Sequence, residues 1–228
     1  MGTLASIVAL LDSLDPEKLL RSGGYVLLFG IIFAESGLLI GFFLPGDSLL
    51  FIAGMAAAGT LEQATGSGAV HLNIWVVLIG VFIAAVAGDQ VGYAFGTKAG
   101  PALFNRPDSR FFKHEHVESA EEFFERHGPK AIVLARFVPI VRTFTPIVAG
   151  AGNMQYRTFV KFNILGGFLW GVGITLIGYF LGNISFVHDN LEIAILLIVA
   201  ISVLPMGYEI LKSRRIKARE AAEADAEA

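Results

Sequence analysis

The sequence predicts an all-α polytopic membrane protein. Its expected plan is an inverted repeat of a re-entrant hairpin plus a transmembrane helix, with an extra C-terminal transmembrane helix. Three observations carry this expectation. The chain of 228 residues is 54% hydrophobic and 16% charged, with a mean hydropathy of +0.65, outside the range of soluble globular proteins. The stretch 131–153, AIVLARFVPIVRTFTPIVAGAGN, is apolar enough to enter a bilayer, yet it carries Arg136 and Arg142 and is interrupted by Pro139 and Pro146. The order of an interrupted apolar segment followed by a long apolar helix occurs twice along the chain.

Composition also excludes classes. A net charge of −3 argues against a nucleic-acid partner. The absence of cysteine removes disulfides, thiolate metal sites and a cysteine nucleophile. No cleaved leader is expected, because the first apolar run is short and Asp12, Asp15 and Glu17 follow it.

In residues 1–21, Leu4, Ile7, Val8, Leu11 and Leu14 recur at helical spacing, which predicts an amphipathic N-terminal helix at the membrane interface. Asp15-Pro16-Glu17 has the form of a helix start. Residues 25–61 are apolar except for Glu35 and Asp47, and Pro45-Gly46 interrupts them. The second half, from Leu49 to Gly59, measures ~17 Å as a helix, too short to span. A re-entrant hairpin bent at Pro45-Gly46 follows, with a full span at Tyr25–Leu44 as the competing reading.

The loop 61–72 lacks Lys and Arg, whereas the stretch after the transmembrane helix 73–97 carries Lys98, Arg106, Arg110 and Lys113. The positive-inside rule therefore places the latter in the cytoplasm. Residues 109–127 alternate by helical period and form an amphipathic cytoplasmic helix, docked on the protein or on the bilayer. Its His114 and His116 fall on different faces, which suits solvated histidines rather than a metal site.

Stretch 131–153 is the second re-entrant hairpin. Its piece before Pro139 supplies ~12 Å of helix, so the segment must break and return. Broken backbone at membrane depth is tolerated only when buried in protein or lining a cavity. Residues 158–182 form the next transmembrane helix, 183–190 an outside loop without Lys or Arg, and 191–211 a last helix weakened at Pro205. Residues 1–212 make one membrane domain, and the basic tail 213–228 lies in the cytoplasm.

The repeat is marked by Gly92-Tyr93-Ala94-Phe95-Gly96 in the first helix and Gly178-Tyr179-Phe180-Leu181-Gly182 in the second. The hairpins match more loosely, Pro45 with Ala53-Gly54 against Pro139 with Ala149-Gly150. A hairpin returns to its own side and one helix crosses, so the second copy is inverted. Inverted repeats with broken helices meeting at the midplane are a transporter signature.

Glu35, Asp47, Arg136 and Arg142 thus sit where lipid disfavours charge, each arginine costing ~2.5–3.5 kcal/mol on insertion scales. One reading is two buried ion pairs that hold the hairpins together, although such pairs seldom repay their desolvation. The other is an anion site: the guanidinium forks of Arg136 and Arg142 bind phosphate, and Glu35 and Asp47 exchange protons or gate. Asp47 also suits a cap for a helix starting at Ser48, and Asp89 suits either the network or the cytoplasmic interface. No Ser-His or paired-His motif falls in the apolar region, so neither an enzyme nor a metal or other cofactor is expected.

Three segments resemble the DedA membrane protein family, also called SNARE-associated or VTT-domain proteins. They are FAESGLLIGFFLPGDSLLFIAG, GDQVGYAFGTKAG and FFERHGPKAIVLARFVPIVRTFTPIVAGAGNMQYRTFVKFNILGGFLW, which cover most of residues 33 to 182. The resemblance implies a lipid transporter of the bacterial cytoplasmic membrane. Several members recycle undecaprenyl phosphate, others are linked to phosphatidylethanolamine movement, proton-motive force and envelope stress, and eukaryotic relatives scramble phospholipids. The family's important acids match Glu35 and Asp47, and its important arginines match Arg136 and Arg142. Where many members carry Arg after G-Y-x-x-G-x, this chain has Lys98, a secondary candidate that keeps the charge and loses the fork.

The expectation is a flippase for a phosphate-headed lipid, with undecaprenyl phosphate first, coupled to protons or the membrane potential. A proton- or sodium-coupled small-solute transporter and a phospholipid scramblase are the alternatives, and a passive membrane scaffold is the bland one. The expected partner is a membrane lipid, and symmetry makes a homodimer reasonable.

Overall fold

The computed structural model describes residues 16–38, 44–60, 72–104, 122–182 and 184. Among them the regular structure is helical throughout, with no strand. The elements are α1 (Pro16–Gly37), α2 (Gly46–Ala57), α3 (Ile74–Phe104), α4 (Ala131–Ala135), α5 (Pro139–Ala151), α6 (Tyr156–Gly167) and α7 (Gly173–Gly182). A 3₁₀ turn, Gly128–Lys130, leads into α4, and a π-turn, Phe168–Val172, joins α6 to α7. The expected helices at 191–211 and over most of 109–127, and the tail 213–228, lie outside the described residues, although 122–127 are helical.

Among the described residues, three helices are long and apolar enough to cross a membrane: Lys18–Gly37, Ile74–Ala99 and Tyr156–Gly182. The last joins α6, the π-turn and α7 into 27 residues, ~40 Å of helix, ample for a ~30 Å hydrocarbon core. Ile74–Ala99 and Tyr156–Gly182 follow from long, predominantly apolar runs. Of the amphipathic helix expected over 1–21, residues 16–21 are described, and they are helical. Gly24 leaves helical geometry (φ 50, ψ −131) and kinks α1 between this piece and the helix that follows. Glycine takes a positive φ without steric cost, so the bend falls there. Counted across the kink, Lys18–Gly37 is long enough to cross, while the second arm of hairpin 25–61, α2, has 12 residues and is not.

Hairpin 131–153 is broken where its sequence demands. Arg136–Val138 form the turn, and Val138 is extended (φ −118, ψ 105) because the residue before proline avoids the helical region. Pro139 opens α5 at a position where its missing N–H costs nothing. Pro146, expected as a second break, is not one: it lies inside α5, and the helix continues through it. Its ring is buried where Gly92 of α3 leaves room, so packing offsets the lost helical hydrogen bond.

The two copies interlock. α2 packs along α7, and α5 packs along α3, so the second arm of each hairpin lies on the long helix of the other copy. Glycines permit the approach. A side chain at Gly54 or Gly178 would collide with the α7 or α2 backbone, and one at Gly150 or Gly96 with the α3 or α5 backbone. In a bilayer, where apolar association gains little from water, such backbone contact supplies the packing. The copies are not identical. Gly178, the first glycine of its motif, faces Phe51, whereas Gly96, the last glycine of the other, faces Ile147. Phe51 and Ile147 each stand three residues before the hairpin glycine, so the two interfaces differ by about one helical turn, ~5–6 Å.

The core beneath these contacts is apolar, with Leu28, Ile32, Leu49, Leu50, Val77 and Val81 buried between α1, α2 and α3. Trp75, Ile79, Ile83, Phe168, Ile177 and Phe180 are exposed instead, an outward apolar surface suited to lipid.

Candidate functional site

The charged residues converge at the junction of the two hairpins and the long helices. Arg142 stands one turn into α5, where its N–H bonds the Val138 carbonyl at 2.9 Å and sets the start of the helix. Its side chain reaches across to the other hairpin. Nη2 donates to Glu35 Oε1 in α1, and Nη1 donates to Asp47 Oδ1 in α2 at 3.0 Å. Glu35 is 1% exposed, and Gly46 makes its position possible, because any Cβ there would occupy the space of Glu35 Oε2. The glycine beside Pro45 therefore does two things: it sits at the hairpin break and it seats a carboxylate.

Asp47 is not a helix cap. The cap position of α2 is Pro45, and no side chain bonds the first turn. Asp47 is instead held between Arg142 and the indole of Trp170, whose Nε1–H donates to the same Oδ1 at 2.7 Å.

Arg136 sits in the turn between α4 and α5 and is 5% exposed. Its Nη2 donates to Asp89 Oδ2 in α3 at 2.5 Å and to Asn163 Oδ1 in α6 at 2.8 Å. Asn163 in turn donates to the Val86 carbonyl at 3.1 Å, which fixes its amide. Asp89 thus belongs to the network rather than to the cytoplasmic interface. Gly166 and Gly167 of α6 leave the room that the Arg136 side chain fills.

Trp170 lies between the two arginines. Its ring centre is 5.7 Å from the Arg136 guanidinium carbon and 5.4 Å from that of Arg142. Glu35, Ser36, Asp89, Arg136, Arg142 and Trp170 together line a cavity of ≈ 10 Å³, about the room one water needs. Of these residues, Glu35 Oε2, Arg136 Nε and Arg142 Nε are buried and have no hydrogen-bond partner among the described residues. Two guanidiniums face three carboxylates, so the formal charge of the cluster is one negative unit in excess. In a low-dielectric bundle that imbalance asks for a proton or a cation, and the unmet polar atoms ask for a ligand or water.

The structure brings together Glu35, Asp47, Asp89, Arg136 and Arg142 as the sequence suggested, in two sets joined by Trp170. It does not bring in Lys98, which is exposed on α3 and takes no part in the cavity lining. Ser36, Asn163 and Trp170 were not anticipated. Asn163 carries a signal that could have found it, an amide inside a predominantly apolar span. Trp170 carries none, because a tryptophan in a membrane helix is ordinary.

A family model described as VTT domain matches residues 44–180. The chain is 45% identical over 197 residues to Protein DedA of Escherichia coli (strain K12), covering 86% of each chain. It is 46% identical over 207 residues to an uncharacterized membrane protein of Mycobacterium leprae (strain TN), covering 88% of each. A second mycobacterial membrane protein, from Mycobacterium tuberculosis (strain ATCC 25618 / H37Rv), is 34% identical over 177 residues. No solved structure matches the chain.

Proposed function

The chain belongs to the VTT-domain (DedA) family of multi-pass membrane proteins, and from that premise we propose that it carries a phosphate-headed lipid, undecaprenyl phosphate first, across the bacterial cytoplasmic membrane. One observation supports this above the rest. Arg142, on one hairpin, is clamped by carboxylates from both arms of the other, inside an apolar bundle. A purely structural bundle would be served as well or better by apolar side chains there, since buried ion pairs rarely repay desolvation. Arg136 and Arg142 are the phosphate ligands in this scheme, and Glu35 and Asp47 are the gate.

The excess negative charge supplies a coupling. A phosphate cannot reach Arg142 while Glu35 and Asp47 both hold it as carboxylates, because the anion would add to a site already negative. Proton uptake by an acid frees the guanidinium, and proton release after delivery restores the clamp. The ≈ 10 Å³ cavity is too small for a phosphate group, so loading requires the hairpins to part. The carrier performs no bond chemistry and needs no cofactor. Its lipid tail stays in the bilayer against the outward apolar surface.

The test is surface accessibility of undecaprenyl phosphate in cells depleted of the protein and complemented with variants. Wild-type protein restores it, and Arg142→Ala does not. Restoration by Arg142→Ala overturns the site. Uptake of a small solute into proteoliposomes under a pH gradient, with no lipid substrate present, would point to a solute carrier instead.

A further inference from the structure

We propose that Trp170 is a positioning residue that holds Arg136, Arg142 and Asp47 in one anion-responsive unit, a role that rests on the lipid-phosphate reading above. Three observations place it there. Its ring is 2% exposed and lies within cation–π reach of both guanidiniums, at 5.7 Å and 5.4 Å. Its Nε1–H donates to Asp47 Oδ1, the oxygen that also accepts from Arg142. It belongs to both the cavity wall and the α1–α3 core, so movement of the charged set is felt by the packed interior.

The π-turn Phe168–Val172 is what makes this possible. Along α6, the buried positions Phe159, Asn163, Gly167 and Trp170 follow helical spacing toward the site. An unbroken α-helix would continue that stripe near 174 and 181, yet the buried positions on α7 are Thr175, Gly178 and Gly182, which pack on α2. The π-turn inserts one residue into the period, so the α7 stripe stays in line with the α6 stripe along one rod. Trp170 faces the arginines, and Gly178 still meets Phe51.

When a phosphate takes the arginines, the cation–π contacts and the Asp47 hydrogen bond must change together. Trp170 thereby couples the Arg136–Asp89 set to the Arg142–Glu35–Asp47 set, so that neither arginine is released alone. Removing the N–H frees Asp47 from the ring, and removing the ring uncouples the arginines.

The probe is dodecyl phosphate, a short phosphate monoester, titrated into the full-length protein in nanodiscs. Binding is read by calorimetry, and emission is read in a Trp75→Phe background. The chain has two tryptophans, and Trp75 is exposed at the start of α3, so that variant leaves Trp170 as the sole reporter. The expected results are a shift of Trp170 emission on binding and about tenfold weaker binding in Trp170→Phe, which keeps a ring and loses the N–H. Trp170→Leu weakens binding further. Calorimetric binding without an emission change overturns the role, and so does wild-type affinity in Trp170→Phe. The emission readout uses the native tryptophan, so it stands if the Leu variant fails to fold. No binding to the wild-type protein overturns the lipid-phosphate reading itself, and this role with it.

Discussion

The Arg136–Asp89 pair offers a way to separate scaffold from site. Arg136 and Asp89 are 5% and 4% exposed, and their charged atoms are 2.5 Å apart. Breaking a buried pair leaves the survivor uncompensated, which costs about 3–5 kcal/mol. Asp89→Asn should fall at the low end, because Arg136 keeps its bond to Asn163 at 2.8 Å. Arg136→Gln should fall at the high end, because it leaves Asp89 a buried carboxylate without its cation, in a cluster already in negative excess. The double variant replaces two buried charges by two neutral amides that can hydrogen-bond, and its cost should fall below about 2 kcal/mol. The single costs together then exceed the double variant's by about 6 kcal/mol, a coupling measurable as a double-mutant cycle of unfolding in mixed micelles. The same three variants are then assayed for lipid accessibility in depleted cells. If Arg136 only anchors the hairpin, the stable double variant regains transport. If Arg136 binds phosphate, the double variant is stable and inactive. Additive costs would refute the pairing, and an active double variant would refute the ligand role of Arg136.

Other substitutions follow from particular contacts. Gly46→Ala should abolish transport while leaving the α1–α3 core intact, because its Cβ takes the place of Glu35 Oε2; complementation together with thermal stability checks this. Arg142→Lys should also fail in complementation, since a single ammonium cannot span Glu35 and Asp47 as the guanidinium fork does. Lys98→Ala should transport at the wild-type rate, with a stability change within about 0.5 kcal/mol, because the residue is exposed and outside the cavity. Gly178→Leu should cost about 1–3 kcal/mol or more by driving α7 off α2, which shows as lost expression or a lowered melting temperature.

Much of the architecture was legible in the chain because the bilayer narrows the choices. A long, predominantly apolar run has one stable form there, a helix, so α3 and the rod Tyr156–Gly182 could be read despite Asp89 and Lys161, although α3 runs on past the expected end at 97 to Phe104. The break before Pro139 was legible for a local reason, the steric rule on the residue preceding proline. The same rule misled at Pro146, where the outcome depends on a partner. Gly92 of another helix offers the space that keeps the ring inside α5. At Gly24 the backbone leaves helical geometry close to the boundary expected between 1–21 and 25–61, where only a glycine takes the positive φ at no steric cost.

By itself the sequence determined that Glu35, Asp47, Arg136 and Arg142 must be withdrawn from lipid, because the cost of leaving charge in hydrocarbon does not depend on the fold. Which acid meets which arginine was decided only in three dimensions. Arg142 takes Glu35 and Asp47 from the opposite hairpin, and Arg136 takes Asp89 and Asn163 from the long helices. The reach of a guanidinium fork is set by how closely α2 approaches α7 and α5 approaches α3, and glycines far along the chain set that approach. Trp170 belongs wholly to that second level, since its place between the arginines depends on how the two hairpins pack around it, and the π-turn Phe168–Val172 that keeps α7 in phase with it has no signature in the sequence.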